Sequence, residues 1–197
     1  MTIWVRKKVI KVQRIHSALK LATLEILALA FFLIFLIGVA KGGDSGAIKI
    51  SSAAFEDGGK IPVRYTCDGN NVSPPLRWSG VPNGTKSLAL ICDDPDAPMG
   101  TWVHWVLFNI PVEVTELPES VPCRPTLLNG AVHGINDFGN YGYGGPCPPK
   151  GTHRYYFKIY ALDTRVNLKA GATKAQLLHA IEGHILAKGE LVGKYTR

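Results

Sequence analysis

Two apolar runs that flank a proline-containing loop constrain the fold of this chain more than any other feature. Ser87–Cys92 is almost continuously apolar, and Trp102–Ile110 is rich in aromatic and β-branched residues. Runs of this length and composition are typical of strands that are buried on both faces. The loop between them, Asp93–Gly100, contains two prolines. The sequence therefore predicts a hairpin of two buried strands with a wide tip.

The rest of the chain after residue 47 also indicates strands, with little helix. The further strand candidates are Ile48–Ser52, Ile61–Tyr65, Leu76–Trp78, His153–Asp163 and Glu190–Tyr195. Residues 174–187 have the apolar spacing of an amphipathic helix, and Thr173 and Gln176 stand at capping-box positions before it. Residues 111–151 are rich in proline and glycine and contain few apolar runs. The pattern predicts a mainly β fold class, a β-sandwich-like domain with a few short helices.

The N-terminal region differs from the rest of the chain in charge and hydropathy. Residues 1–41 carry nearly all of the formal net charge of +7, so the remainder is close to neutral, which argues against a nucleic-acid partner. The apolar run at 21–40 is long enough to cross a bilayer. We therefore expect a basic cytoplasmic leader at 1–20, a transmembrane helix at 21–40, a linker at 41–47 and a domain at 48–197.

This organisation leads to an expectation about location. Because basic residues stay on the cytoplasmic side of a membrane, the protein should be membrane-anchored through its N-terminal helix, with the domain extracytoplasmic. The small residues Gly38–Val39–Ala40 would also suit a signal peptidase. A secreted domain, released by cleavage of a signal peptide, is therefore the alternative.

Four cysteines, Cys67, Cys92, Cys123 and Cys147, all lie in the predicted domain. They contain no CxxC pair, and their spacing fits no common zinc site. An even number of cysteines in an oxidising compartment permits two disulfides, with three possible pairings, while buried free thiols are an equally open alternative. We expect no cofactor and no bound metal.

The tip of the predicted hairpin carries carboxylates beside a histidine. Asp94 and Asp96 lie in a loop whose conformation is restricted by Pro95 and Pro98. His104 begins the returning strand, on the same face as Trp102 by alternation. Aspartate and proline are also ordinary turn residues, so a structural turn is the alternative to a site.

A second group of polar residues follows a glycine- and proline-rich loop. Residues 144–152 contain three prolines and three glycines, which form a rigid loop whose backbone can approach a ligand closely. The next strand presents His153 and Tyr155 on one face. If that face meets the face that carries His104, the two groups form one pocket; otherwise the loop is a structural turn.

These segments resemble the phosphatidylethanolamine-binding protein family. The matching motifs, in order, are Asp94-Pro95-Asp96-Ala97-Pro98, Trp102-x-His104 and Gly145-Pro146-x-Pro148-Pro149-x-Gly151-x-His153-Arg154-Tyr155. Tyr65–Gly69 and Asn71–Trp78 resemble its bacterial and archaeal branch, the Raf kinase inhibitor-like proteins. The resemblance extends over residues 48–195 and implies the antiparallel β-sandwich of that family.

The resemblance also implies a small surface cavity that accepts phosphate, acetate or phosphoethanolamine-like groups. By motif position the ligand-binding residues would be Asp94, Asp96, Trp102, His104, Gly145, Pro146, His153 and Tyr155. We therefore expect a non-catalytic, regulatory binding module whose partner is a small anion or a phosphorylated headgroup. The alternatives are an inhibitor that contacts a protease or a kinase and, less favoured, a hydrolase that uses aspartate and histidine, or a metal site built from the same residues.

The charges in this predicted site need an explanation, because two aspartates repel an anion. We expect them to raise the pKa of His104 and His153 instead. The protonated imidazoles, together with Tyr155, would then donate hydrogen bonds to a phosphate. Anion affinity should accordingly rise as the pH falls toward about 6.

Overall fold

The computed structural model describes residues 47–197. Its strands are β1 (Lys49–Ser51), β2 (Leu76–Ser79), β3 (Ser87–Asp94), β4 (Trp102–Ile110), β5 (Glu116–Leu117), β6 (Val132–His133), β7 (Thr152–Leu162) and β8 (Ile185–Thr196). One α-helix, α1 (Lys174–Ala180), lies between β7 and β8, and a 3-10 helix spans Val63–Tyr65. The described residues are therefore mainly β.

The strands form two antiparallel sheets that share a core. The larger sheet has the order β6-β4-β3-β7-β8, and the smaller one has the order β1-β2-β5. Ile50 and Trp78 of the smaller sheet belong to the same buried apolar cluster as Leu90 and Trp105 of the larger sheet. The mainly β, antiparallel architecture predicted from the sequence is confirmed.

The predicted central hairpin is present, and both of its strands are buried. All eight residues of β3 are buried, and β3 pairs with β4 on one side and with β7 on the other. Leu90 packs into the core between the sheets, whereas Ile91 packs into a second cluster that includes Leu177 of α1 and Ile181, which follows it. A strand that is covered on both faces has apolar residues at nearly every position, which explains the continuous apolar run of β3 in the sequence.

The predicted strand at His153–Asp163 corresponds to β7. Its alternate residues from His153 to Ala161 are buried, and the residues between them are exposed or half-buried. His153 and Tyr155 therefore lie on the inner face of the larger sheet, as the alternation predicts.

Two of the predicted elements are wrong in type or length. Ile61–Tyr65 is not a strand, because Pro62 precedes a short 3-10 turn at Val63–Tyr65. The helix predicted at 174–187 ends at Ala180, although its capping box between Thr173 and Gln176 is present. The chain turns at Gly183, which has a φ of 76°, and the apolar residues after it start β8.

The membrane-spanning part of the predicted fold class is corrected. Among residues 47–197 no helix is long and apolar enough to cross a membrane. The helix α1 has seven residues, and seven residues rise only about 10 Å, against a hydrocarbon core of about 30 Å. The anchor predicted at 21–40 lies outside the described residues. The predicted membrane-anchored, extracytoplasmic location is corrected with it, because no helix among the described residues supports an anchor.

The cysteines form one disulfide instead of two. Cys67 is bonded to Cys147, across 80 residues of sequence. Cys92 is a buried thiol in β3, and Cys123 is an exposed thiol. The disulfide connects the segment after the 3-10 helix to the loop that precedes β7.

Candidate ligand-binding site

A cavity of about 370 Å³ lies at the end of the central hairpin. Its lining comes from the hairpin tip, the start of β4, the loop before β7 and the start of β7, with one further residue from the long segment between β6 and β7. The lining residues are Asp94, Ala97, Pro98, Met99, Trp102, His104, Phe138, Cys147, Pro148, Pro149 and His153. Most of these side chains are apolar, so the polar groups are few and close together.

His153 and Asp94 form a buried pair in this cavity. The His153 Nδ1 lies 2.7 Å from the Asp94 Oδ2, and the two side chains are 9% and 5% exposed. The other carboxylate oxygen of Asp94 accepts a hydrogen bond from the Asp96 backbone N–H at 2.8 Å. The carboxylate is thus held on both oxygens. The His153 Nδ1 donates to it, and the Nε2 remains for a ligand.

His104 is held in a different way. Its Nδ1 lies 2.6 Å from the Gly144 carbonyl oxygen, to which it donates, so its Nε2 is also left for a ligand. Burial lowers the pKa of His104 from its ordinary value, and the Gly144 carbonyl and the charge of Asp94 offset only part of that effect. Asp94 acts in the expected direction, but burial outweighs it, so the expectation of a raised pKa is wrong for His104, whose imidazole is neutral at pH 7.

Tyr155 lies behind the cavity and does not line it. It is 1% exposed, and its ring packs edge-on against His104 with 5.1 Å between ring centroids. Burial and the negative charge of Asp94 raise the pKa of the Tyr155 phenol far above its usual range. Among the described residues its buried hydroxyl has no hydrogen-bond partner, and neither has the buried indole N–H of Trp102.

Asp96 faces away from the cavity, into a neighbouring groove. Its carboxylate accepts hydrogen bonds from the Arg154 Nη2 at 2.6 Å, the Nε at 2.8 Å and the backbone N–H at 2.9 Å. These contacts hold the pKa of Asp96 at about 2. Asp96 thus fastens the hairpin tip to β7 and keeps the adjacent residues Ala97–Met99 over the cavity.

Gly145 and Pro146 support the cavity wall from outside. The Gly145 N–H donates to the Asn71 side chain at 2.7 Å, and the Pro146 carbonyl accepts from the Cys67 N–H at 3.1 Å. A Cβ on Gly145 would lie only 2.5 Å from the Tyr65 carbonyl oxygen, so no larger residue fits there without a shift of the backbone.

Of the eight residues predicted for the site, the structure brings four to the cavity surface: Asp94, Trp102, His104 and His153. The sequence reasoning missed the apolar lining. Pro98, Pro148 and their neighbours lie within the quoted motifs, so the motifs could have indicated them. Phe138 comes from the glycine-rich segment 111–151, and its ring lies 5.5 Å from Trp102 and 5.4 Å from His104. No pattern in the sequence indicated it.

The described residues do not favour the metal-site alternative. Within 47–197 no group of three or more histidine, cysteine, aspartate or glutamate side chains is arranged to hold a metal ion. In the cavity Asp94 is already engaged by His153 and by the Asp96 backbone.

Comparison with known proteins is consistent with this architecture. The family model for phosphatidylethanolamine-binding proteins matches residues 51–196. A UPF0098 protein of Methanothermobacter thermautotrophicus is 57% identical over 150 residues, which cover 76% of this chain and 99% of the relative. A UPF0098 protein of Pyrococcus abyssi is 47% identical over 173 residues, covering 86% of this chain and 96% of the relative.

Two solved structures have the same fold. A putative phosphatidylethanolamine-binding protein homologue from Chlamydia trachomatis is 44% identical, with a TM-score of 0.71 and coverage of 77% of this chain and 98% of the other. YbcL of E. coli, described as a member of the mammalian phosphatidylethanolamine-binding protein family, is 38% identical, with a TM-score of 0.71 and coverage of 77% and 99%.

Proposed function

Because this chain belongs to the phosphatidylethanolamine-binding protein family, we propose that it is a non-catalytic binding module whose cavity takes a small anion or the phosphate of a headgroup. The observation that carries this proposal is the concentration of hydrogen-bonding groups in an otherwise apolar cavity. His104 and His153 both line it, and each has its Nδ1 engaged by the protein.

The fixed ring nitrogens determine how an anion would be held. With both Nδ1 atoms engaged, the His104 and His153 rings are oriented, and each offers its Nε2 to a ligand. The buried indole N–H of Trp102 is a third donor without a partner among residues 47–197. A phosphate has several acceptor oxygens and could receive hydrogen bonds from all three groups once each Nε2 also carries a proton.

The size and lining of the cavity limit the ligand. Its volume of about 370 Å³ is near the lower end of the range for small-molecule sites, about 300–1,000 Å³. It therefore suits a phosphate with a short substituent and is too small to enclose a whole phospholipid. The apolar side chains of Met99 and Phe138 at the cavity would contact that substituent.

Anion binding in this cavity requires a proton. His104 is neutral at pH 7 because burial lowers its pKa, and a neutral imidazole whose Nδ1 carries the proton has none on Nε2 to donate. An anion that accepts from the His104 Nε2 stabilises the protonated imidazole, so binding and proton uptake are coupled. The rise in anion affinity at lower pH thus stays a prediction, and for His104 its proposed cause is proton uptake on binding, not a raised pKa in the free protein.

The proposal can be tested by titrating the full chain with inorganic phosphate and with phosphoethanolamine while the histidine ring signals are followed by NMR. Saturable shifts of the His104 and His153 signals, lost in the His104→Ala variant, would support the proposed site. As a control, the ring signals of His179 and His184 should not move, since both side chains are exposed and neither lines the cavity. The absence of any shift at millimolar ligand would contradict the proposal.

The non-catalytic part of the proposal has its own test. The buried His153–Asp94 pair is the arrangement that a general base would need, so a hydrolase is the second candidate. Turnover of p-nitrophenyl phosphate or acetate that is abolished by His153→Gln would favour that alternative. Inhibition of a protease or a kinase stays a prediction from the family resemblance.

A further inference from the structure

A basic groove adjoins the cavity and shares His153 with it. The groove has a volume of about 730 Å³ and is lined by Asp96, Lys150, Gly151, Thr152, His153, Arg154 and Lys194. Along the chain the two linings follow one another, because Cys147–Pro149 line the cavity and Lys150–Arg154 line the groove. One imidazole ring thus separates the proposed anion site from a cluster of cations.

Two cations of the groove, Arg154 and Lys194, lie side by side on neighbouring strands, and Lys60 lies next to Lys194, outside the groove lining. In the β7–β8 ladder Arg154 is paired directly with Lys194, and an isolated bridge pairs Lys194 with Lys60. Neighbouring strands are about 4.8 Å apart, so the three cations extend over about 10 Å. Like charges directly opposite one another destabilise a sheet. The Arg154–Lys194 contact therefore costs some stability, which the Arg154–Asp96 ion pair offsets in part, and an anion beside Lys194 would relieve the remaining repulsion.

Only part of this charge is neutralised within the described residues. Asp96 forms its ion pair with Arg154. Within residues 47–197 the lysines Lys60, Lys150 and Lys194 take part in no ion pair, and all three are exposed. The groove consequently has a net positive charge that is available to a ligand.

We propose that this groove is a second anion subsite, so that the ligand of this protein is a small molecule with two anionic groups. One group occupies the cavity, and the other lies beside Lys150 and Lys194. The inference rests on the proposed function, because the cavity must hold the first group. A small molecule is favoured over a long polyanion because only His153 separates the two openings.

The experiment compares two ligands that share one carbon chain and differ by one phosphate: propane-1,3-diol monophosphate and propane-1,3-diol bisphosphate. Calorimetric titration of the full chain near neutral pH and at low salt should give a tighter dissociation constant for the bisphosphate. The expected gain is roughly fivefold or more, since each exposed ion pair contributes up to about fivefold and the second phosphate adds a statistical factor of about two. The gain should diminish as salt is added.

Matched variants distinguish a specific effect of the groove lysines from a general effect of net charge. In the Lys150→Ala/Lys194→Ala double variant the bisphosphate should bind little better than the monophosphate, whose own affinity should change little. The control is Lys86→Ala/Lys169→Ala, which removes the same charge from exposed lysines outside the groove and should retain the gain.

The outcomes distinguish the two proposals. If the monophosphate binds and the bisphosphate gains no more than the statistical factor, the second subsite is wrong while the proposed function stands. If both double variants lose the gain equally, the effect comes from net charge and the subsite is again wrong. If neither ligand binds at millimolar concentration, the proposed function fails, and the subsite fails with it.

Discussion

The Nδ1 of His153 lies 2.7 Å from the carboxylate of Asp94, and this contact joins the first residues of β7 to the last residue of β3. The two strands are already neighbours in the larger sheet, with Asp93 paired to Tyr156 at the end of their ladder. The histidine–carboxylate pair extends that pairing by side chains, into the cavity. It therefore stabilises the fold and orients a ring nitrogen for a ligand at the same time.

A double-mutant cycle on Asp94→Asn and His153→Gln should reveal this coupling as a loss of unfolding free energy. Because both side chains are buried, we expect a coupling of about 1.5–3 kcal/mol, the range for hydrogen bonds to charged groups. The measurement is urea denaturation of the four proteins of the cycle at pH 7.

The chain offers a matched control for that cycle. His184 and Asp163 form the same kind of pair at 2.8 Å, but their side chains are 48% and 46% exposed. Their coupling should be below about 1 kcal/mol because solvent screens the pair. Equal coupling energies for the two pairs would show that burial does not strengthen the pair at Asp94.

The affinity for an anion should increase as the pH falls. Burial lowers the pKa of His104, so the free protein has a neutral imidazole at pH 7, and an anion favours its protonated form. Each proton taken up on binding strengthens the affinity by at most about tenfold per pH unit. Calorimetry with sulfate, whose charge is constant over this range, should show the rise between about pH 8 and pH 6, and His104→Gln should remove most of it. A constant affinity in the wild-type protein would contradict the proton-coupled mechanism.

The stability of the fold should decrease as the pH falls below the ordinary range of histidine. His133 is fully buried, and its Nδ1 lies 2.7 Å from the Arg124 carbonyl oxygen. Burial lowers its pKa, so the unfolded chain takes up a proton at a higher pH than the folded protein does. The unfolding free energy is therefore unaffected by His133 above its unfolded pKa of about 6.5 and falls as the pH drops below that value.

Denaturation curves at pH 7.5 and pH 5.5 would measure this effect. The change between the two pH values should be smaller in His133→Gln than in the wild-type protein. His184→Gln is the control, because that histidine is half exposed and its loss should leave most of the dependence intact. If the dependence is unchanged in His133→Gln, other groups control the acid sensitivity.

The parts of this fold that could be predicted are those that local burial determines. The apolar runs of β3 and β4 indicated these strands because both of their faces are buried, and the alternation of β7 indicated that strand because only one of its faces is buried throughout. The helix α1 was predicted too long because the apolar residues that continue its pattern belong to β8, after the turn at Gly183. Periodicity alone does not distinguish a helix from a turn followed by a strand.

The candidate site could be predicted only in part, because local sequence patterns do not reveal contacts between distant residues. Asp94, Trp102, His104 and His153 could be grouped because the hairpin and the strand pairing bring them together. The partner of Asp96 could not be predicted, because its contact with Arg154 joins residues 58 positions apart. Phe138 has no local signal either, and only its packing against Trp102 and His104 identifies it. The pKa of His104 likewise depends on burial, which residue types do not reveal.

Reduction of the disulfide should destabilise the fold and weaken the binding site together. The bond between Cys67 and Cys147 closes a loop of about 80 residues, for which the chain-entropy account gives about 4.5 kcal/mol. Cys147 itself lines the cavity, and the adjacent wall is otherwise held by the contacts of Gly145 with Asn71 and of Pro146 with Cys67. Denaturation with and without a phosphine reductant should show a lower unfolding free energy after reduction, and the affinity for phosphate should fall because the wall is less restrained.

The Cys67→Ser/Cys147→Ser variant should behave like the reduced protein and should not respond to reductant. If the variant still responds, the reductant acts elsewhere; if stability falls while phosphate affinity is unchanged, the disulfide supports the fold but not the wall of the cavity.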